Sequence, residues 1–293
     1  MILVTGATGA IGRPLVNELV SMGEQVRAIT HHSTPAGLPR DIELIEGDFS
    51  RPDTIVPALA DVTALFVHPR AVGMAAPTLL RLAAEYGVKH VVALSAINVD
   101  DDPAYQPSRA NGDRNKEVED AVIHSGMPWV SVRAGSFALS ISAVWAAQIR
   151  SGANVVRGPY ANFAEAVLHE QDLAAVIASA LRDHSLAGQR IPVTGPQSLT
   201  YSEMVSIIGE VIGRPLHYQE LSVQAATEGM VSQGVPRPFV AALMARYARD
   251  IGKAPTVTRE VEKILGRPAR TYAEWVADHA ADFTTAESTT ASG

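Results

Sequence analysis

Through the first 135 residues, short runs of Val, Ile and Leu alternate with stretches whose apolar residues recur at helical spacing. The strand-like runs are residues 2–5, 25–30, 42–46, 64–68, 90–95 and 129–133, and the helical stretches are 10–22, 53–60, 76–86 and 114–125. Strands that are apolar on both faces and separated by helices indicate a parallel sheet covered on both sides. Right-handed crossovers then make a doubly wound α/β sheet the economical topology. After Gly135 the alternation weakens. A helix over 136–149 leads to a short strand near Val155, a helix over 171–182 and a last strand over 190–194. Helices follow at 201–212, 222–232, 238–250, 258–265 and 271–282. Thr200 with Glu203, and Thr271 with Glu274, have the spacing of capping boxes. The pattern predicts a ligand-binding half over 1–135 and a smaller, mainly helical C-terminal cap over 136–283 with late sheet strands interleaved. The small, polar residues 284–293 are expected to form a disordered tail.

Composition narrows the function. Of 293 residues, 47% are apolar but only 5% aromatic, so the core is built from aliphatic side chains. Lys and Arg number 24 against 31 Asp and Glu, a formal charge of −7 that argues against nucleic acid as a partner. With no cysteine, disulfides, thiolate catalysis and Cys-based metal centres are excluded. No apolar run approaches the roughly 20 residues of a membrane span. A strand starting at Ile2 leaves no room for a charged leader, so a cytoplasmic location is expected. The expected partner is a small molecule, and nothing in the pattern sets an oligomeric state.

The segment Thr5-Gly6-Ala7-Thr8-Gly9-Ala10-Ile11-Gly12 joins the first strand to the first helix. Gly6 permits the tight turn, Gly9 lets backbone approach a pyrophosphate, and Gly12 lets the helix pack close to the strand. The helix N-terminus offers free N–H groups and a partial positive charge to the phosphates. Strand, loop and helix in this order predict a dinucleotide site at Gly6, Thr8, Gly9, Ala10, Ile11 and Gly12.

The spacing T-G-x-x-G-x-x-G also resembles the extended and atypical short-chain dehydrogenases/reductases. Gly47-Asp48-Phe49 resembles the adenine-side turn of that superfamily. Ser125-Gly126-Met127-Pro128 followed by Val132-Arg133-Ala134-Gly135-Ser136-Phe137 resembles a signature of its NmrA-like members. So do Gly195-Pro196-Gln197-Ser198-Leu199-Thr200-Tyr201 and Ile212-Gly213-Arg214-Pro215. The resemblance implies a Rossmann fold and an NAD(P)H cofactor. It adds Asp48, Phe49, His68, Gly135 and Phe137 to the cofactor residues, with residues 135–137 facing the nicotinamide, although Phe137 as core filler is an equal reading. The family holds both reductases of quinones and other aromatics and non-catalytic redox sensors.

An acid at the end of the second strand would hold a free ribose 2′-hydroxyl. That strand ends Thr30-His31-His32 without a carboxylate, and Arg13 can reach the same region. NADPH is therefore favoured and NAD remains open, as does the reading of His31 and Arg13 as ordinary solvated residues.

Ketone-reducing members of the superfamily use a Ser after the fifth strand and a Tyr-x-x-x-Lys pair on the next helix. Ser95 stands at the first position, or merely satisfies a strand-end carbonyl. The resemblance places Asn111 and Asn115 where Tyr and Lys would be, with Tyr105 and Lys116 as nearby substitutes. No G-x-S-x-G elbow and no H-x-x-x-H pair is present. In the segment His169-Glu170-Gln171-Asp172, Asp172 is expected to cap a helix and not to bind a metal. In the cap, Met204, Phe239, Met244, Tyr247 and Trp275 are available, most as core and one or two against a flat substrate. The expected function is NAD(P)H-dependent reduction of a quinone-like or polycyclic aromatic. Oxygenation of an aromatic polyketide through the reduced quinone or anthrone is a possible consequence. A redox sensor is the alternative.

Overall fold

The computed structural model describes residues 1–30 and 37–284, so His31 and residues 285–293 lie outside the described residues. Six strands fill the first half: β1 (Ile2–Val4), β2 (Val26–Thr30), β3 (Glu43–Glu46), β4 (Ala64–Val67), β5 (His90–Ala96) and β6 (Trp129–Ala134). In the second half come β7 (Val155–Gly158), β8 (Ala164–Glu165), β9 (Gln189–Val193), β10 (Leu199–Thr200) and β11 (His217–Glu220). The central sheet has seven parallel strands in the order β3-β2-β1-β4-β5-β6-β9. The chain thus builds outward from β1 in one direction and from β4 in the other. That reversal opens a crevice at the carboxyl ends of the strands, where doubly wound folds bind ligands.

Helices α1 (Gly12–Ser21), α2 (Pro52–Ile55), α3 (Pro69–Val72), α4 (Ala76–Glu85), α5 (Pro107–Ala110) and α6 (Asn115–Ile123) connect the first strands. Then come α7 (Ala138–Arg150), α8 (Glu170–Arg182), α9 (Tyr201–Val211), α10 (Val223–Ser232), α11 (Arg237–Asp250), α12 (Glu260–Leu265) and α13 (Tyr272–Asp278). Successive strand residues face opposite sides of the sheet. Val4, Ala28, Phe66, Val92 and Val132 pack with Leu15 and Leu19 of α1 and Leu173 and Ile177 of α8. Leu3, Ile29, Leu65, Val91 and Ala93 pack with Leu79 of α4 and Val118 and Val122 of α6. Each buried Val, Leu, Ile or Phe among them contributes about 1.5–3 kcal/mol of transfer free energy. A third core, with Trp145, Tyr201, Met204, Tyr247 and Trp275, is built from residues after Gly135.

Several boundaries move for local reasons. The helix expected over 53–60 stops at Ile55 and continues as a 3₁₀ turn (Val56–Leu59), because Pro57 has no N–H for the helical ladder. The short strand near Val155 is β7, which pairs with β11, a strand too polar to be read from its sequence. Thr200 and Thr271 form complete capping boxes with Glu203 and Glu274. Asp172, however, is not the cap of α8. His169 is the cap, with Nδ1 accepting from the Gln171 N–H. Asp172 is fully buried and pairs with Arg270 and Arg267. No helix of the described residues is long and apolar enough to cross a membrane.

Candidate functional site

The glycine loop sits where β1 and β4 end side by side. Gly6 has φ +68°, a left-handed conformation in which side chains are strained. Its O accepts from the Gly9 N–H at 3.0 Å, closing the turn. A Cβ on Gly12 would stand 2.1 Å from Gly6 O and 2.6 Å from Ala7 Cα, so only glycine lets α1 approach the loop this closely. A Cβ on Gly9 would meet Gly6 O at 3.3 Å and otherwise open space. Thr8, Gly9 and Ala10 are exposed, Ile11 is buried, and no side chain caps α1. The result is an open cradle at an uncapped helix N-terminus, which fits a dinucleotide pyrophosphate.

Two further predicted residues border this cradle. The His68 ring lies 3.1 Å from the place of a Gly6 Cβ, and its Nδ1 accepts from the Arg70 N–H at 3.2 Å. Burial pushes the His68 pKa down to about 4, against the charge of Asp113. The ring is therefore neutral at working pH, and because Nδ1 is an acceptor, Nε2 carries the proton and can donate. Arg13 follows Gly12 and lays its guanidinium on the loop after β2, with Nη1 3.4 Å from the position of a Gly37 Cβ. Thr30 is buried at the end of β2. Asp48 is held below the usual carboxylate range by hydrogen bonds from the Ser50 hydroxyl and N–H. Phe49 packs into the sheet core with Ile29 and Ile55, beneath the turn that carries Asp48.

At the ends of β5 and β6, the turn 135–137 is fixed by three backbone contacts. The Gly135 N–H donates to Val193 O, Leu168 N–H to Ser136 O, and Ala138 N–H to Leu168 O. Phe137 is half-buried against the sheet core.

The expected catalytic group is not assembled here. Asn111 lies just past the end of α5, Gly112 takes φ +91°, and α6 begins only at Asn115. Asn111 and Asn115 therefore do not share a helix face, which removes the geometry of a Tyr-x-x-x-Lys pair. Lys116 is drawn to Asp120 (2.9 Å) and Asp100 (3.2 Å). Tyr105 is half-buried beneath the guanidinium of Arg249, 4.5 Å from the ring centroid. Ser95 is buried on the α6 side of the sheet, its hydroxyl close to Glu119 but with no hydrogen bond in good geometry. Of the five cap residues, Met204, Met244, Tyr247 and Trp275 are buried in the cap core and Phe239 is half-buried. Among the described residues, no cluster of His, Asp or Glu could hold a metal.

Besides the pairs of Asp172 with Arg267 and Arg270, buried charge networks at Glu119 and Glu165 escaped the sequence reading. In one, Glu119, with no exposed side-chain area, binds Arg133, Ser131 and Arg190. In the other, Glu165 binds Arg246 and Ser136. A lone acid on the buried face of α6, facing an Arg inside an apolar strand, is the signal that could have exposed the first. The second joins residues distant in sequence and has no such signal.

Comparison with known proteins fits this cradle. The family model described as "NAD(P)H-binding" matches residues 6–184. The (4-alkanoyl-5-oxo-2,5-dihydrofuran-3-yl)methyl phosphate reductase of Streptomyces griseus subsp. griseus is 34% identical, covering 97% of this chain and 99% of that protein. The NAD(P)H azoreductase of Xenophilus azovorans is 32% identical over the same shares. An NADPH-dependent quinone oxidoreductase of Escherichia coli has the same fold, with TM-score 0.80, 22% identity and coverage of 96% and 100%. With the glycine cradle, the parallel sheet and these matches together, the chain belongs to the NAD(P)H-binding, NmrA-like family of atypical short-chain dehydrogenases/reductases.

Proposed function

We propose that the chain is a reductase that takes NADPH in preference to NADH and reduces a quinone-like or otherwise conjugated, electron-poor small molecule. The observation that carries this reading is the helix break at residues 111–114, beside a well-formed dinucleotide cradle. Reducing a plain ketone leaves a strongly basic alkoxide and calls for a positioned acid. Reducing a quinone leaves a phenolate, whose conjugate acid has a pKa of roughly 10. Such a reaction needs positioning and hydrogen bonding more than a Tyr–Lys proton relay. The relatives described above act, by their names, on a quinone, an azo compound and an acylated oxo-dihydrofuran. Two are named reductases and the third an NADPH-dependent oxidoreductase, so the proposed activity is reduction without oxygenation.

The dinucleotide supplies a hydride when bound. The residues that would hold it are the N–H groups of Ala10 and Ile11, the Nε2–H of His68, and the turn 135–137. Arg13 would meet a 2′-phosphate. Charge-assisted hydrogen bonds contribute about 1.5–3 kcal/mol. Arg13→Ala is therefore expected to weaken NADPH binding roughly 10- to 100-fold and NADH binding little, as read by fluorescence titration. Equal losses for both cofactors would remove Arg13 from the phosphate site.

The reading is tested by following oxidation of NADPH and NADH against a panel of quinones, azo dyes and aliphatic ketones without oxygen. Turnover of the conjugated acceptors and not of the ketones is expected. Tight cofactor binding with no turnover of any acceptor would instead place the chain with the redox sensors of its family.

A further inference from the structure

Helix α11 packs against α5 and the turn at residues 103–105, and presents Arg246 and Arg249, one turn apart, to Ser136 with Glu165 and to Asp101. Arg249 has every nitrogen engaged by acids. Nε and Nη2 bind Asp250 at 2.9 and 2.6 Å, and Nη1 binds Asp101, in the loop after β5, at 2.9 Å. Other arginines bordering the crevice are likewise matched: Arg70 by Asp113, Arg109 by Glu117, and Arg133 by Glu119 and Asp100.

Arg246 is built differently. Nη2 alone makes its hydrogen bonds, to Glu165 Oε1 at 2.8 Å, to Glu165 Oε2 at 2.9 Å and more weakly to Ser136 Oγ at 3.5 Å. Ser136 Oγ in turn donates to Glu165 at 2.8 Å. The Phe163 ring supports the guanidinium from below, 5.6 Å from its centroid. Nε and Nη1 have no protein partner among the described residues, and neither is sealed from solvent. A planar cation, its side chain 21% exposed, is thus held by Nη2 on a buried carboxylate next to Ser136, with Nε and Nη1 left unpaired.

We propose that Arg246 is a catalytic residue whose open Nε–H and Nη1–H groups hydrogen-bond the substrate oxygen that becomes anionic during reduction. The proposal rests on the reductase reading. In the reaction, the hydride from the reduced dinucleotide forms a new bond to the conjugated substrate with its two electrons. The carbonyl π pair moves onto oxygen, oxidised NAD(P) is released, and the phenolate or enolate takes its proton from water. No protein acid is consumed, so the missing Tyr–Lys pair is not needed. Arginine suits the task because its planar fork keeps donors free after one nitrogen is anchored. Burial works against its charge, but Glu165 outweighs this and raises its pKa further. Glu165 leaves the cluster near neutrality, which lets a neutral quinone enter.

Removal of one donor to a developing oxyanion typically costs about 10²–10³ in kcat. Arg246→Met is expected to show a loss of that size with a naphthoquinone, with NADPH affinity unchanged. Arg246→Lys keeps the pair with Glu165 and so guards against a folding artefact, but its single ammonium cannot both sit on Glu165 and reach substrate. It is expected to melt like wild type and to be nearly as slow as Arg246→Met. A second readout needs no turnover. Titration of 4-nitrophenol in the presence of the protein, followed by the phenolate absorbance, should show its apparent pKa lowered by wild type and not by either variant.

Wild-type rates and an unshifted nitrophenol titration in Arg246→Lys would overturn the proposal. So would loss of activity in Tyr105→Phe with Arg246→Lys active, since the phenol would then be the donor. Failure of wild type to oxidise NADPH with any acceptor would instead sink the reductase reading, and the nitrophenol titration would still decide whether Arg246 holds an anion.

Discussion

Gly9→Val is expected to abolish dinucleotide binding in a protein that melts like wild type, whereas Gly12→Ala is expected to lose both binding and stability. The two glycines differ in what surrounds them. A side chain on Gly9 meets Gly6 O at 3.3 Å and then projects into the open cradle, where the pyrophosphate would stand. It removes space from the ligand and leaves the core untouched. A methyl group on Gly12 must share space with Gly6 O at 2.1 Å and Ala7 Cα at 2.6 Å, both backbone atoms that cannot rotate away. Either α1 moves outward or the loop unwinds, and α1 carries Leu15, Val16 and Leu19 into the core against α8. Overpacking of this kind costs about 1–3 kcal/mol. Thermal melts paired with fluorescence titration of NADPH separate the two effects. Unchanged NADPH affinity in Gly9→Val would show that the cradle is not the pyrophosphate site.

The sheet was legible because its strands are apolar on both faces and its helices carry a clear period. The glycine loop was legible because its three glycines stand between strand and helix. What escaped depends on which way a side chain points. In β5, Val92 and Leu94 face α8, so Ser95 faces α6 and lies against Glu119. A strand apolar on both sides gives no clue to that choice. The dipeptide Asn111-Gly112 is a turn signal in its own right. The resemblance places Asn111 and Asn115 at the Tyr and Lys positions, although Asn111 already falls before the helix expected over 114–125. The pair Glu165–Arg246 depends on how α11 folds back onto β8, 81 residues away in the chain. Local pattern does not encode that step, although each partner's chemistry is plain once they meet.

Glu119→Ala is expected to destabilise the protein by about 3–5 kcal/mol, the usual cost of leaving a buried ion pair with one partner. Glu119 Oε1 accepts from Arg133 Nη2, and Oε2 accepts from Arg133 Nε at 3.1 Å and the Ser131 hydroxyl at 2.7 Å. Arg190, from the edge strand β9, adds a longer contact at 3.3 Å. One carboxylate therefore ties α6, β6 and β9 together. Through Arg133 it also reaches Asp100 at 2.9 Å, in the loop that leads to Tyr105. Burial alone would raise the Glu119 pKa, but hydrogen bonds from Arg133 and Ser131, with Ser95 close by and the charge of Arg133, bring it below the ordinary 4.5. A carboxyl with a depressed folded-state pKa binds protons more readily when unfolded. Its stabilisation is complete above about pH 4.5 and fades as the pH falls through the folded value. Glu119→Gln keeps the shape and removes the titration, so its melting temperature should lie below that of wild type at neutral pH. The gap should narrow in acid as wild type loses its own advantage. Replacing both partners, Glu119→Met with Arg133→Met, should recover much of the loss, since apolar pairs often match buried ion pairs in stability. The double variant would still lack the tie to Asp100, so its quinone turnover should stay below wild type even where its stability does not. A gap between Glu119→Gln and wild type that widened with falling pH would mean that Glu119 is protonated in the folded state at neutral pH, contrary to the charge network described for it.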